Sequence, residues 1–279
     1  MANCEICLAS NFRPTHSILQ KCLNCGHIFA LTNLDDNGIK SLYGSSYFHG
    51  DEYMNYEDEV DSLRANFRIR NNELKPFLKD NNGSLLDVGC AYGFYVKEAE
   101  TLFSSTLGID VANEAVFKGR DLLGVDLRAG DLLTYDFGDK KFDVITMWDT
   151  IEHLQNPRLY VEKVATLLRP NGIFAFTTGD ISALTPRIRG EKWRMIHPPT
   201  HIHYFTPQTA ERLLNQFNLT ICSVKHRGVY RTIGNVMHNL FTIRMNLPVI
   251  PKTLKLLGVD RVNIYLNTFD IMTVIAQKK

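Results

Sequence analysis

The chain has 279 residues, of which 44% are hydrophobic and 22% charged, with a formal net charge of +1. That length holds one full α/β domain plus an accessory unit, and the composition is that of an ordinary soluble globular protein. Near-zero net charge supplies no global field toward nucleic acid or a membrane surface, and no apolar run approaches the roughly 18 residues that span a bilayer. The first residues, Met1-Ala2-Asn3-Cys4-Glu5, do not form a basic region followed by an apolar stretch. The expectation is therefore a cytoplasmic protein with no membrane partner and no signal peptide.

Four of the six cysteines form two pairs, Cys4-x2-Cys7 and Cys22-x2-Cys25, separated by fourteen residues. In a cytosolic chain this spacing reads as a metal site, not as disulfides. Two thiolate pairs on two turns suit a tetrahedral zinc ion, and a closed four-cysteine shell is structural because it leaves no open coordination position. Residues 1–42 are thus expected to form a zinc-ribbon-like unit, with strands near 15–19 and 27–31 and with His16 and His27 at the surface or behind the ligands. Cys90 and Cys222 are isolated and read as small buried apolar residues. Residues 43–83 read as a helical lead-in. Its helix over 56–79 carries Val60, Leu63, Phe67, Leu74, Phe77 and Leu78 on one side, and Pro76 kinks it near its end.

Residues 85–93, Leu-Leu-Asp-Val-Gly-Cys-Ala-Tyr-Gly, join an apolar run to an acid, a short loop with two glycines and an amphipathic segment. The order is strand, tight turn, helix over 94–103, and glycine lets backbone approach a ligand closely. A nicotinamide fingerprint needs glycine at 89, 91 and 94, whereas the chain has Gly89, Ala91 and Phe94. A second apolar run at 106–111 contains Asp110, 23 residues after Asp87. A carboxylate at that distance meets a ribose hydroxyl pair in dinucleotide folds, although a helix N-cap also favours an acid. Asp131 in Ala-Gly-Asp-Leu suits either a ligand contact or a turn, and Asp87 either a ligand contact or the loop's own amides.

Residues 142–148 form a fourth strand running into Asp149-Thr150-Ile151-Glu152-His153-Leu154. Asn156-Pro157 opens a helix that stops before Arg169-Pro170-Asn171-Gly172, and a strand over 173–178 follows. Thr206-Pro207 caps another helix, and strands near 219–225 and 269–276 finish the sheet. The stretch about 227–266 exceeds a hairpin loop. It reads as a helical insertion that covers the substrate site or forms a subunit contact in a homodimer.

Asp87 with Gly89 and Gly93, then Asp110, Asp131 and the Asp149–Leu154 segment, in that order, resemble the motifs of class I S-adenosylmethionine-dependent methyltransferases. The resemblance implies a Rossmann-like, doubly wound α/β fold over 84–279, with seven strands, mostly parallel, and an antiparallel last strand. It also implies S-adenosylmethionine as cofactor, contacted by Asp87, Gly89, Gly93, Asp110 near the ribose and Asp131 near the adenine amine. The 43–83 lead-in would cover the cofactor pocket, with Tyr47 and Arg64 toward the methionine carboxylate.

Methyl transfer from a sulfonium needs the acceptor held in line and usually deprotonated, and histidine is the natural base near neutral pH. His153 follows the fourth strand. Residues 193–205 add His197, His201, His203 and Tyr204 on the loop past the fifth strand, where open α/β sheets carry ligands. The candidate catalytic groups are His203, His201, His153 and Tyr204. Pro198-x-x-His201-x-His203-Tyr204-Phe205 resembles a segment of a methyltransferase subfamily with small-molecule and sugar acceptors. Some of its relatives with an N-terminal zinc unit methylate carbon in nucleotide-linked deoxysugars. The leading expectation is a small-molecule acceptor. The alternatives are an RNA-associated methyltransferase or a non-catalytic zinc-ribbon scaffold. The RNA-associated reading is disfavoured because residues 1–30 hold only Arg13 and Lys21 against Glu5, with no basic stripe, and because no Asn-Pro-Pro-Tyr-like motif follows the fourth strand.

Overall fold

A computed structural model describes residues 3–31, 60–78, 83–237 and 259–279. Tyr47, and residues 238–258 of the expected insertion, lie outside the described residues.

The centre is a seven-stranded sheet in the order β10-β13-β8-β7-β4-β5-β6. These strands are β4 (Ser84–Val88), β5 (Ser105–Asp110), β6 (Leu127–Ala129), β7 (Phe142–Trp148), β8 (Leu168–Gly179), β10 (Leu219–His226) and β13 (Ile271–Lys278). β4 pairs parallel with both β5 and β7, while β13 runs antiparallel to β8 and β10. The expected fold class is therefore observed, with the last strand as the antiparallel one. Central strands buried on both faces need continuous apolar sequence. Leu85, Leu86, Ile145, Met147, Phe174, Phe176 and Val274 supply it, all fully buried or nearly so. The neighbours β4 and β7 lie where strand order reverses, so their carboxyl ends flank the crevice in which such sheets bind ligands.

The α-helices among the described residues are α1 (Val60–Leu74), α2 (Phe94–Ala99), α3 (Asn113–Leu123), α4 (Pro157–Leu167), α5 (Leu184–Arg189), α6 (Pro207–Asn215) and α7 (Ile233–Met237). Asn156 caps α4 by accepting from the Leu159 amide, and Thr206 caps α6 in a reciprocal box with Thr209. Both helices place proline in the first turn, where its missing N–H costs nothing. The proline at 76 ends the regular helix at Leu74 and leaves a single 3-10 turn over Lys75–Phe77.

Several expectations shift. Helix α2 is shorter than predicted: it stops at Ala99, whose carbonyl still takes the Leu102 and Phe103 amides in a closing turn. The strand predicted over 15–19 is a hairpin turn instead. His16 and Ser17 have φ of 45° and 49°, and Thr15 pairs with Leu19 across them. Strands β1 (Phe12–Thr15), β2 (Leu19–Cys22) and β3 (Ile28–Ala30) follow from it, and β9 (His203–Tyr204) joins as the fourth strand against β3. Cys222 is exposed on β10, not buried. The described ends of the 227–266 stretch pair as β11 (Val229–Thr232) and β12 (Asn263–Leu266), a β-ribbon that the expectation lacked, and the short helix α7 follows β11 within the stretch. Among the described residues, no helix is long and apolar enough to cross a membrane.

Candidate active site

β4 ends in a loop built by its backbone. Gly89 has φ of +77°, and a Cβ there would sit 2.4 Å from Thr150 Oγ1, so any side chain collides with the neighbouring strand end. The Gly89 and Cys90 amides both donate to the Ile109 carbonyl. The Ala91 amide donates to Asp110 Oδ2 at 2.7 Å, and the Ala112 amide to Asp110 Oδ1 at 2.8 Å. Asp110 therefore ties the β4 loop to the β5 turn, and each oxygen keeps a further lone pair for a ligand hydroxyl. Gly93, also at φ +77°, starts α2 and packs on Leu127 away from the cavity.

Asp87 bonds Thr146, not the loop amides: the Thr146 hydroxyl donates to it at 2.7 Å. Burial raises its pKa to about 7, against the pull of that hydrogen bond and of Arg70. Asp131 takes the Leu133 amide at 2.9 Å, the turn chemistry its sequence suggested. It also takes the Tyr160 hydroxyl, 2.9 Å from each oxygen.

These groups face one cavity of about 580 Å³, whose lining includes Asp87, Gly89, Asp110 and Asp131 and also Glu152, His153 and His201. That volume falls within the usual range for a small-molecule site, roughly 300–1,000 Å³. Arg70 lines it as well. Its guanidinium lies 4.9 Å from the Trp148 ring centroid and 5.3 Å from that of Phe67, and donates to Asp149 Oδ2 at 2.7 Å. Sequence reasoning named Arg64 and missed Arg70. The signal was present, because position 70 continues the Val60, Leu63, Phe67, Leu74 stripe, and a largely covered cation on that stripe needs a partner, here Asp149.

The end of β7 is strained. Asp149 has φ of +50°, held by its amide bonding Thr177 Oγ1 and by the Thr177 hydroxyl donating back at 2.8 Å. Burial pushes its pKa up, but Arg70 and Thr177 outweigh this and hold the carboxyl below its usual range. Glu152 is the other overlooked residue. It is 2% exposed, and neither carboxyl oxygen has a hydrogen-bond partner among the described residues. Burial, then the charge of Asp149, raises its pKa to about 8.

The structure separates the four candidate catalytic groups into two pairs. His153 and His201 line the cavity with rings perpendicular and centroids 4.6 Å apart. His153 Nδ1 is 3.0 Å from the Thr200 carbonyl, and His201 Nδ1 is 3.0 Å from the Met195 carbonyl. A carbonyl only accepts, so Nδ1 carries the proton in both neutral rings. Burial lowers the pKa of His153 to about 4 and that of His201 to about 2.

His203 and Tyr204 do not line the cavity, because β9 turns them toward the ribbon. His203 Nε2 meets the Gln155 carbonyl at 3.3 Å, and its Nδ1 meets His27 Nε2 at 3.0 Å. The Tyr204 hydroxyl donates to the His201 carbonyl at 2.8 Å. His197 is held by Thr200 Oγ1 at 2.6 Å, and His27, expected near the surface or behind the ligands, is fully buried.

Away from the cavity, Cys4, Cys7, Cys22 and Cys25 place their sulfurs within 4.8 Å of one another. Two turns present them, closed by the Leu8 amide on the Cys4 carbonyl and the Gly26 amide on the Cys22 carbonyl. Four convergent thiols on two turns fit a tetrahedral four-thiolate ion.

A family model described as "Methyltransferase domain" matches residues 61–224. Among curated proteins, the ubiquinone biosynthesis O-methyltransferase of Chelativorans sp. (strain BNC1) is 26% identical over 165 residues, covering 55% of this chain and 64% of that protein. The protein of the same name from Shewanella halifaxensis (strain HAW-EB4) is 26% identical over 177 residues, covering 58% and 73%. The chain thus spans just under two thirds of the first of these relatives. Among solved structures, the magnesium protoporphyrin IX methyltransferase of Synechocystis PCC 6803 with bound SAH superposes with a TM-score of 0.56. It is 13% identical, over 88% of this chain and 100% of that one, a likeness of fold.

Proposed function

We propose that this chain, which belongs to the methyltransferase-domain family and is an S-adenosylmethionine-dependent methyltransferase of class I, methylates a small molecule held beside Glu152, His153 and His201. One observation carries this: a single cavity is lined both by the Gly89 loop with Asp110 and by that acid–histidine cluster. When bound, S-adenosylmethionine supplies an electrophilic methyl group. Asp110 holds the ribose hydroxyls through its remaining lone pairs, and Asp131 lies toward the adenine amine. Arg70 pairs with the methionine carboxylate, and Asp87 lies toward the ammonium end. Gly89, at positive φ and with no Cβ to meet Thr150, lets the loop backbone run close beside the neighbouring strand end.

The acceptor hydroxyl loses its proton with the help of His153 and His201, whose neutral rings are ready to interact with it at physiological pH. His203 and Tyr204 brace the loop that carries His201. A small hydroxyl-bearing acceptor is supported by the relatives' name, ubiquinone biosynthesis O-methyltransferase. A sugar or nucleotide-linked sugar is one class of such acceptors. The four cysteines hold a structural zinc ion. The units are a ribbon over 1–42, a lead-in over 43–83 and the methyltransferase domain over 84–279.

Two measurements test the proposal. Calorimetry should detect S-adenosylhomocysteine binding that Arg70→Ala weakens. A panel of phenols, diols and nucleotide-linked sugars, assayed with labelled S-adenosylmethionine, should yield a methylated small molecule. Label transferred only to RNA or protein would reject the small-molecule acceptor.

A further inference from the structure

Glu152, His153 and His201 come from two separate segments, and one donor atom from each lies within 4.8 Å of the others. Ligands around an ion bonded at roughly 2.0–2.2 Å stand about 3–3.5 Å apart, so only small side-chain movements are needed to close such a shell. Three further features fit a metal site. First, both histidines direct Nδ1–H to a backbone carbonyl, of Thr200 and of Met195. This is the usual outer-shell arrangement that fixes a metal-binding imidazole and leaves its lone pair on Nε2. Second, Glu152 is buried with neither oxygen hydrogen-bonded among the described residues, and a buried carboxyl without partners is costly unless something else satisfies it. Third, all three groups line the cavity, so an ion there has room for ligands that are not protein. The hard and borderline N/O donors set this cluster apart from the all-sulfur ribbon.

We infer that Glu152, His153 and His201 bind a divalent transition-metal ion, with open coordination positions that take the acceptor's hydroxyl oxygen. The ion site stands on the cluster alone; its role in catalysis rests on the methyl-transfer reading above. Coordination lowers the hydroxyl's pKa, and its proton leaves to water. A lone pair of the bound oxygen then forms the new O–CH3 bond as the S–CH3 bond breaks. The bonding pair returns to sulfur, and neutral S-adenosylhomocysteine leaves. The two histidines thus assist deprotonation through the ion.

Cobalt(II) separates the two sites, because thiolate ligation gives a sulfur-to-metal charge-transfer band that N/O ligation lacks. Full-length protein stripped of metal and titrated with Co2+ should saturate that band at one equivalent. Visible d–d absorption should continue to a second. In Glu152→Gln and in His201→Asn the second equivalent should bind at least tenfold more weakly, while S-adenosylhomocysteine affinity stays within a few-fold of the wild type. A wild-type protein that binds only the thiolate equivalent overturns the site, as does a second equivalent unaffected in both variants. Wild-type calorimetry with S-adenosylhomocysteine is read separately. Its failure would reject the cofactor assignment and leave the ion site standing.

Discussion

The two parts of the cavity wall are made differently. Asp87, Gly89, Ala91 and Asp110 sit on one strand, its loop and the next strand; backbone amides tie the loop to Ile109 and Asp110, and Asp87 takes the Thr146 hydroxyl. Glu152, His153 and His201 are brought together only when the loop after β8 folds back and the Ile202 amide bonds the Glu152 carbonyl. The first wall is built from two successive strand ends and the loop between them. The second depends on long-range contacts, including the Trp193 indole and the Arg194 guanidinium, which donate to buried Asp270. Damage to the first should appear in cofactor affinity, and damage to the second in turnover.

The largest effect should come from the second wall. His201→Ala or His153→Ala should lower turnover by roughly 10²–10⁴-fold, with S-adenosylhomocysteine affinity changed only a few-fold. His203→Ala should instead lower the melting temperature while leaving turnover per folded molecule near normal. Equal catalytic losses in His203 and His201 variants would erase the distinction drawn between the two pairs.

Gly89→Ala tests the first wall. The new Cβ meets Thr150 and must also adopt a positive φ, a strain of about 1–3 kcal/mol. Cofactor affinity should fall by about tenfold or more. Thr150→Ala in the same chain should recover part of the loss by removing the collision but not the backbone strain. A Gly89→Ala protein with normal affinity would mean that the loop does not approach the cofactor.

Asp110→Ala should cost on the order of 1.5–3 kcal/mol of cofactor affinity, the range for hydrogen bonds to a charged group. Part of that loss comes through the loop, since Ala91 and Ala112 lose their acceptor. Arg70→Ala should cost a similar amount, and calorimetry of each variant measures it. If Arg70→Ala leaves the affinity unchanged, the Asp149 ion pair is structural and the methionine carboxylate lies elsewhere.

This contrast also explains what was legible in the sequence. The individual strands and the caps Asn156 and Thr206 follow from local apolar runs and local hydrogen-bond chemistry, so reading along the chain finds them, whereas the sheet's strand directions and its antiparallel last strand are what the family resemblance implied. Asp87, Asp110 and Asp131, singled out through the family resemblance, all line the cavity. His203 and Tyr204 sit in the same tight run as His201, and proximity in sequence could not say which faced the cavity. Strand pairing with Ile28 and Phe29, some 175 residues earlier, decided it. Arg70 and Glu152 were missed because their importance comes from burial beside groups far away in the chain. In Arg70 the only local trace was a cation on an apolar stripe.

The smallest predicted effect is on stability against pH, for protein free of cofactor and holding only its cysteine-bound ion. Folding raises Glu152 to about 8 and Asp87 to about 7, so above the unfolded carboxyl values the folded state holds protons that the unfolded state has released. That stabilisation is complete at low pH and is lost as pH rises through 7 and 8. The buried histidines 27, 201 and 203 and half-buried His153 work in the opposite sense, because folding lowers their pKa values. Stability from them rises with pH and is complete once unfolded histidine is neutral, just above about 6.5. The two trends place the maximum near pH 7; above it the carboxyls lower stability, joined toward pH 8.5 by buried Cys90, whose thiol folding also pushes up. Between pH 7 and 8.5 Glu152 alone should remove about 1 kcal/mol, or about 2–4 °C of melting temperature in a domain of this size. Glu152→Gln cannot ionise, so in that variant the alkaline fall should shrink. A wild-type melting temperature that holds or rises over the same interval would mean that Glu152 is already ionised at pH 7, with a partner satisfying its charge.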